Sequence, residues 1–375
     1  MAGSVAGMVL TQKALNRALL ARQLLLRRES RGVAATVEHL VGMQAQAPNP
    51  PYIGLWTRLE HFAPDDLARL ILDRQLVRVA LMRGTIHLVT APDCLLLRPL
   101  VQPLFDRDLA TNPTHGGEHL AGVDLAELAT LARAVMAERP RTNGELHTLL
   151  GARWPERDPT ALVYAARGVL PLVQVPPLGI WGKGGQTTST TAQAWLGREL
   201  DPDPAPDEMV LRYLAAFGPA TVRDLQAWSG LTRLVEVTDR LGTRLRQFAG
   251  ENGATLLDVP DGPRPDPDTP APPRFIPQWD NLLLSHADRT TVISDEARKA
   301  MITPNGQVLG TVLVDGFVRG SWKAESDVLQ VNVFRRLSKK DTAAVAREGV
   351  RLLGFLAPEA AAPDVRVVEA STLAG

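Results

Sequence analysis

An α+β fold is predicted by three features of the sequence. Segments of helical periodicity are each followed by a pair of short β-rich stretches; that order recurs three times; and the tail after residue 273 is mostly β. With 375 residues, 45% of them hydrophobic, the chain is long enough for two or more separate cores.

Leu10 to Arg28 reads as an amphipathic helix, with Leu15, Leu19, Leu20, Leu24 and Leu26 near helical spacing. Val33–Met43 is a second helix, and Pro48, Pro50 and Pro51 stop any extension of it. Tyr52–Glu60 and Pro64–Asp73 follow, the latter opened by Pro64 with Asp65 and Asp66 in its first turn. The period then changes: Leu76–Met82 and Thr85–Thr90 are β-rich and joined through Arg83-Gly84 as a hairpin. Helices closed by a two-stranded hairpin make a winged helix. In the second round, Asp124–Glu138 is a helix, Thr142 and Glu145 form a capping box for Asn143–Leu150, and Pro159–Gly168 is the third helix. Leu170–Val175 and Ile180–Lys183 are the expected hairpin. The third round has Pro206–Phe217, then Val222–Ser229 capped by Thr221, a turn at Gly230, and Leu231–Leu241, closed by Arg244–Phe248 and Ala254–Val259.

Residues 260–273 are crowded with Pro, Asp and Gly and read as a linker. Beyond them Val308–Val314, Phe317–Lys323 and Asp327–Phe334 are strands, with Asp315-Gly316 a tight turn, and Thr342–Leu356 is a helix. The expected organisation is three tandem winged-helix domains at 1–115, 116–200 and 201–259, the linker, and a small β-barrel-like domain at 274–375.

Composition narrows the function. Cys94 is the single cysteine, which excludes an intramolecular disulfide and a cysteine-based zinc cluster and suits a reducing compartment. Residues 1–10 carry no basic region and run into Thr11-Gln12-Lys13, unlike a secretory signal, and no apolar run approaches the roughly 20 residues of a membrane span. The expectation is a cytoplasmic protein. Lys plus Arg and Asp plus Glu number 41 each, so net charge identifies no partner, but its distribution is uneven. Lys13, Arg17, Arg22, Arg27, Arg28 and Arg31 stand against one acid, Glu29, and Arg335, Arg336, Lys339 and Lys340 form a second basic cluster.

No metal and no cofactor are expected. His115 and His119 are four apart, but Gly116-Gly117 between them opposes the helix that would aim both at one ion. Gly182-Lys183-Gly184-Gly185-Gln186-Thr187 lacks the order of a phosphate-binding P-loop and reads equally as a backbone–phosphate contact or a plain wing loop. No serine elbow or Cys/His pair supports nucleophilic catalysis. Gln44 and Gln46, one residue apart in Met43-Gln44-Ala45-Gln46, project to the same side if the segment is extended, where their amides can share a water. The plainer reading is that they satisfy backbone groups at a helix end.

Several motifs together resemble the winged-helix DNA glycosylase family of AlkZ and YcaQ, over nearly the whole chain. They are Met43-Gln44-Ala45-Gln46, similar to the family's Gln-apolar-Gln motif; Arg83-Gly84-Thr85-Ile86-His87-Leu88; Gln278-Trp279-Asp280-Asn281 through Arg289; and Val314-Asp315-Gly316 through Lys323. The resemblance implies three tandem winged helices with a C-terminal β-barrel, and catalysis by Gln44 and Gln46. It implies a monofunctional enzyme that hydrolyses the N-glycosidic bond of N7-alkylguanine or similar cationic purines in double-stranded DNA. Interstrand crosslinks and self-resistance to a DNA-alkylating natural product fall within that expectation. The glutamine carbonyls are expected to accept from the attacking water and face the developing positive charge. Arg83, Thr85 and His87 alternate on the expected strand and are placed beside that water, with His87 orienting DNA or base, or else holding the domain interior together. Lys13, Arg17, Arg335, Arg336, Lys339 and Lys340 are the expected phosphate contacts. The expected protein is a monomer. A winged-helix transcriptional regulator and a non-catalytic damage-binding protein are the alternatives.

Overall fold

The computed structural model describes residues 9–301, 308–359 and 362–369. Its strands form three sheets, of six, three and five strands. The first two units share one order, helix, short strand, two helices, two strands, and a third follows it without the short strand. In the first, Val33–His39, Met43–Gln44, Pro50–Arg58, Pro64–Leu72, Leu76–Ala80 and Ile86–Thr90 follow one another, and the early strand pairs with the last through Gln44↔His87. In the second, Leu125–Glu138, Arg141–Thr142, Asn143–Gly151, Pro159–Val169, Leu172–Gln174 and Thr188–Thr191 do the same through Thr142↔Thr188. The third has Pro206–Phe217, Val222–Ser229, Leu234–Leu241, Arg246–Gly250 and Thr255–Asp258, with a single bridge Ala220↔Leu257 in place of the early strand.

Local chemistry accounts for many boundaries. Thr142 with Glu145 and Thr221 with Asp224 form capping boxes, and Pro50, Pro64, Pro159 and Pro206 open their helices. The first two units are fused: Arg78↔Gln174 and Val79↔Val173 join their hairpins edge to edge into the six-stranded sheet. This covers two edges that would otherwise be exposed.

Several expectations are corrected. The second hairpin's outer strand is Thr188–Thr191, not Ile180–Lys183, which lies in the loop before it. There Tyr52 donates its hydroxyl hydrogen to Gly179 O and accepts from Trp181 N, so the loop is held by side-chain bonding rather than by pairing. The first helix is Gln12–Arg22, and Leu24 then adopts φ +56°, which no helix tolerates. That helix packs with the third unit: Val9–Leu10 pairs in parallel with Arg246–Gly250, and Arg22 donates to Leu214 O and Asp258. The expected linker at 260–273 is irregular but fastened, with Thr269 O bonded to Arg17 and Asp268 to Lys13.

The C-terminal sheet runs Arg274–Ile276, Gly310–Val314, Phe317–Glu325, Val328–Val333 and Asp364–Glu369. It is open, with its first and last strands as edges, so the barrel expectation is corrected to a sheet with the helix Lys339–Leu356 packed on it. Val345, Leu352 and Leu353 of that helix meet Phe275, Val312, Leu329 and Val331 in its core. Among the described residues no helix is long and apolar enough to cross a membrane.

Candidate active site

Gln44 lies on the edge strand of the six-stranded sheet. Gly42, at φ +90°, leads into it, and a Cβ there would come within 2.6 Å of Val89 Cγ1, so only glycine lets the chain approach the neighbouring strand. The ladder continues as Ala45 N donates to Ile86 O at 2.7 Å. Ile86 N then donates to Gln46 Oε1 at 3.2 Å, so the Gln46 side chain replaces a backbone carbonyl at the end of the pairing. Gln44 is 7% exposed, whereas Gln46 is open to solvent.

Arg83 does not stand on a strand. It occupies the turn Met82–Gly84 at φ +56°, so the alternation expected for Arg83, Thr85 and His87 is broken at its first member. From that turn Arg83 Nη2 donates to Gln44 Oε1 and to Asn281 Oδ1, each at 2.8 Å, and Nη1 donates to Trp228 O at 3.0 Å. One guanidinium thus joins the first unit, the third unit and the segment after residue 273. Burial, with the nearby Arg289 charge adding to it, pulls its pKa down to about 10, which leaves it a cation at neutral pH. Gly230, the left-handed cap of Val222–Ser229, packs on the same turn, with an added Cβ 3.6 Å from Arg83 N.

Thr85 Oγ1 donates to Met82 O and closes the turn. His87 is fully buried, with Nδ1 2.9 Å from Thr85 O and no partner for Nε2 among the described residues. Burial first, then the Arg83 charge, pushes its pKa down to about 3, so it is a neutral interior group. The expectation that His87 orients DNA is corrected by this lack of exposed surface.

The segment Gln278–Arg289 supplies residues to which the sequence assigned no role. Asp280 takes two 2.8 Å bonds from Arg58, which also donates to Gln23 O and Gly54 O. Asn281 Nδ2 donates to Gly42 O at 3.3 Å. Gln44, Arg58, Gln278, Asp280 and Asn281 line a small cavity. A wider groove, lined by Gln12, Arg223, Glu251, His286, Arg289 and Arg298 among others, includes neither glutamine.

The basic residues divide. Arg335, Arg336, Lys339 and Lys340 are exposed, with Arg335 3.7 Å from Glu296. Lys13 is partly exposed and bonds Asp268 at 2.7 Å. Arg17 is corrected: it is 1% exposed, and its guanidinium bonds Asn16 Oδ1, Thr269 O and both the carbonyl and carboxylate of Asp315. Its hydrogen-bonding capacity is used inside the molecule, between the first helix and the C-terminal hairpin.

The fold is one already seen among DNA glycosylases. The solved structure of Streptomyces sahachiroi DNA glycosylase AlkZ matches it with a TM-score of 0.78, over 96% of this chain and 100% of that one, at 21% identity. The family model described as DNA glycosylase AlkZ-like matches residues 37–355, and the chain belongs to that family. A curated relative, the interstrand DNA cross-link repair glycosylase of Streptomyces sahachiroi, is 25% identical over 364 residues, which are 88% of this chain and 92% of that protein.

Proposed function

We propose that the protein is a monofunctional DNA glycosylase that hydrolyses the N-glycosidic bond of N7-alkylguanine or related cationic purines in double-stranded DNA. The observation that carries this reading is the placement of Gln44 and Gln46 at one sheet edge, their amides fixed by Arg83 and by the Ile86 backbone. The three repeated units are read as winged helices that build a scaffold around that edge. Membership of the AlkZ-like family supports the reaction class. The name of the Streptomyces relative favours crosslinked bases among the substrates. Self-resistance to an alkylating natural product is the corresponding biological role, exercised in the cytoplasm by a monomer.

The chemistry suits neutral side chains. An N7-alkylated guanine is already cationic, so its departure neutralises charge and needs little acid assistance. Breaking C1′–N9 leaves an oxocarbenium-like sugar, which a water captures. Amides are poor bases, and they act here by orientation and electrostatics. With no lysine proposed as a Schiff-base nucleophile, the product is an abasic site without strand cleavage.

Single-turnover release of N7-methylguanine from duplex DNA, scored by alkaline cleavage at the abasic site, tests the reading. Wild type should release the base, whereas Gln44→Ala/Gln46→Ala should lose most excision with nearly unchanged DNA affinity. Near-wild-type rates in the double variant would refute the role of the pair.

A further inference from the structure

At the candidate site both glutamine amides have their oxygens engaged by groups that can only donate. Gln44 Oε1 accepts from the Arg83 guanidinium and Gln46 Oε1 from the Ile86 amide. Turning either amide round would set N–H against N–H, so their orientations are fixed. Neither Nε2 donates to a described residue; that of Gln44 is not sealed in the interior, and Gln46 is exposed.

We propose that Arg83 is a positioning residue that turns the NH2 of Gln44, rather than its carbonyl, toward the lesion nucleotide, where it donates to an acceptor atom of the departing purine. The proposal rests on the glycosylase reading above. As C1′–N9 breaks, its electron pair passes to the purine, cancels the ring's positive charge and strengthens O6 and N3 as acceptors. Water forms the new C1′–O bond and gives its proton to solvent. A donor at the purine therefore binds the transition state better than the ground state, which is the condition for acceleration. The guanidinium, 2.8 Å away, occupies one of the two lone pairs of the Gln44 carbonyl, whereas both hydrogens of its NH2 are free of described partners. Arg83 keeps its own position independently of Gln44, because Asn281 Oδ1 and Trp228 O hold it from two other parts of the chain.

Gln44→Glu is the discriminating variant: it preserves shape, turns the Arg83 contact into an ion pair, and replaces the unpartnered NH2 donor with an acceptor. Single-turnover release of N7-methylguanine should fall about 100-fold or more, with the melting temperature held or raised and affinity for undamaged duplex unchanged. Near-wild-type release would overturn the donor role. Arg83→Lys, which keeps one donor, should retain more excision than Arg83→Gln at equal melting temperature; equal rates would overturn the positioning role.

A second measurement does not depend on turnover. In 15N-glutamine-labelled protein, the Gln44 NH2 resonances, assigned by their loss in Gln44→Ala, should shift on binding duplex that carries a hydrolysis-resistant 2′-fluoro N7-methylguanine. Unmoved resonances would overturn the contact. A shift without base release by the wild type would remove the glycosylase reading and leave the contact standing. Release by both the wild type and Gln44→Glu would do the reverse.

Discussion

His87 pairs across the sheet with Gln44 and has no exposed surface. Its folded pKa of about 3 lies below the ordinary value of about 6.5. Between these values the unfolded chain binds a proton that the native state refuses. Stability from this group is therefore fully present above about pH 6.5 and is lost as pH falls toward 3. Burial lowers the pKa of His39 and His286 as well, with the same sign. Denaturant midpoints should be flat above pH 6.5 and decline below it, and His87→Gln should flatten the decline; an unaltered slope would assign the acid sensitivity elsewhere. The sequence singled out Gln44, Gln46 and Arg83 through short motifs. It read Arg83-Gly84 as the connection between two strands, which is where Arg83 lies, but it also counted Arg83 in the alternation with Thr85 and His87, and that period-2 reading fails because Arg83 sits in a left-handed turn. Asp280 and Asn281 belong to the Gln278–Arg289 motif, in which the sequence assigned them no role. Their partners Arg58 and Arg83 are 222 and 198 residues away, a distance at which local pattern carries no pairing information.

At the scale of elements, the Arg58–Asp280 pair ties the helix Pro50–Arg58 to the chain after the strand Arg274–Ile276. Both side chains are almost wholly buried, at 1% and 4% exposure. Removing one partner leaves an uncompensated charge in the interior, so Asp280→Ala should cost about 3–5 kcal/mol by urea unfolding. Arg58→Met/Asp280→Leu should cost less than either single truncation; a double variant worse than both singles would mean that the backbone bonds of Arg58 dominate. Helices and strands with caps or clear periods were legible: Pro206–Phe217 and Val222–Ser229 lie where the sequence puts them. The helices Ala91–Leu100 and Gln102–Thr111 were not. Pro92, Pro99 and Pro103 argue against a helix on inspection, yet Pro92 and Pro103 fall in first turns, where the missing N–H has no helical partner to lose, and Pro99 stands one residue before its helix ends at Leu100. The outer strand of the second hairpin was missed because a loop of more than ten residues, Val175–Thr187, separates it from its partner.

Across the whole molecule, equal totals of acid and base conceal a local separation. The exposed cluster Arg335, Arg336, Lys339 and Lys340 remains available for phosphates, whereas Arg17 is committed internally. The salt dependence of duplex affinity should reflect that difference. Replacing the four exposed cations with Gln should reduce the slope of log affinity against log salt by about 0.9 for each phosphate no longer neutralised. Arg17→Gln should lower thermal stability and leave the slope intact; an unchanged slope in the fourfold variant would remove that cluster from the DNA path. The recurring order of helices followed by paired strands was legible, because caps and periods mark each element locally, but the openness of the last sheet was not, since closure depends on whether two distant strands meet. The parallel pairing of Val9–Leu10 with Arg246–Gly250 also has a bearing on biogenesis. The strand Val9–Leu10 leaves the ribosome early and must wait for a partner some 240 positions downstream, roughly 10–50 s at ordinary translation rates. The first and second units can consolidate around their joined hairpins during that interval, whereas the helix Gln12–Arg22 cannot complete its docking until Leu214 and Asp258 of the third unit have been made.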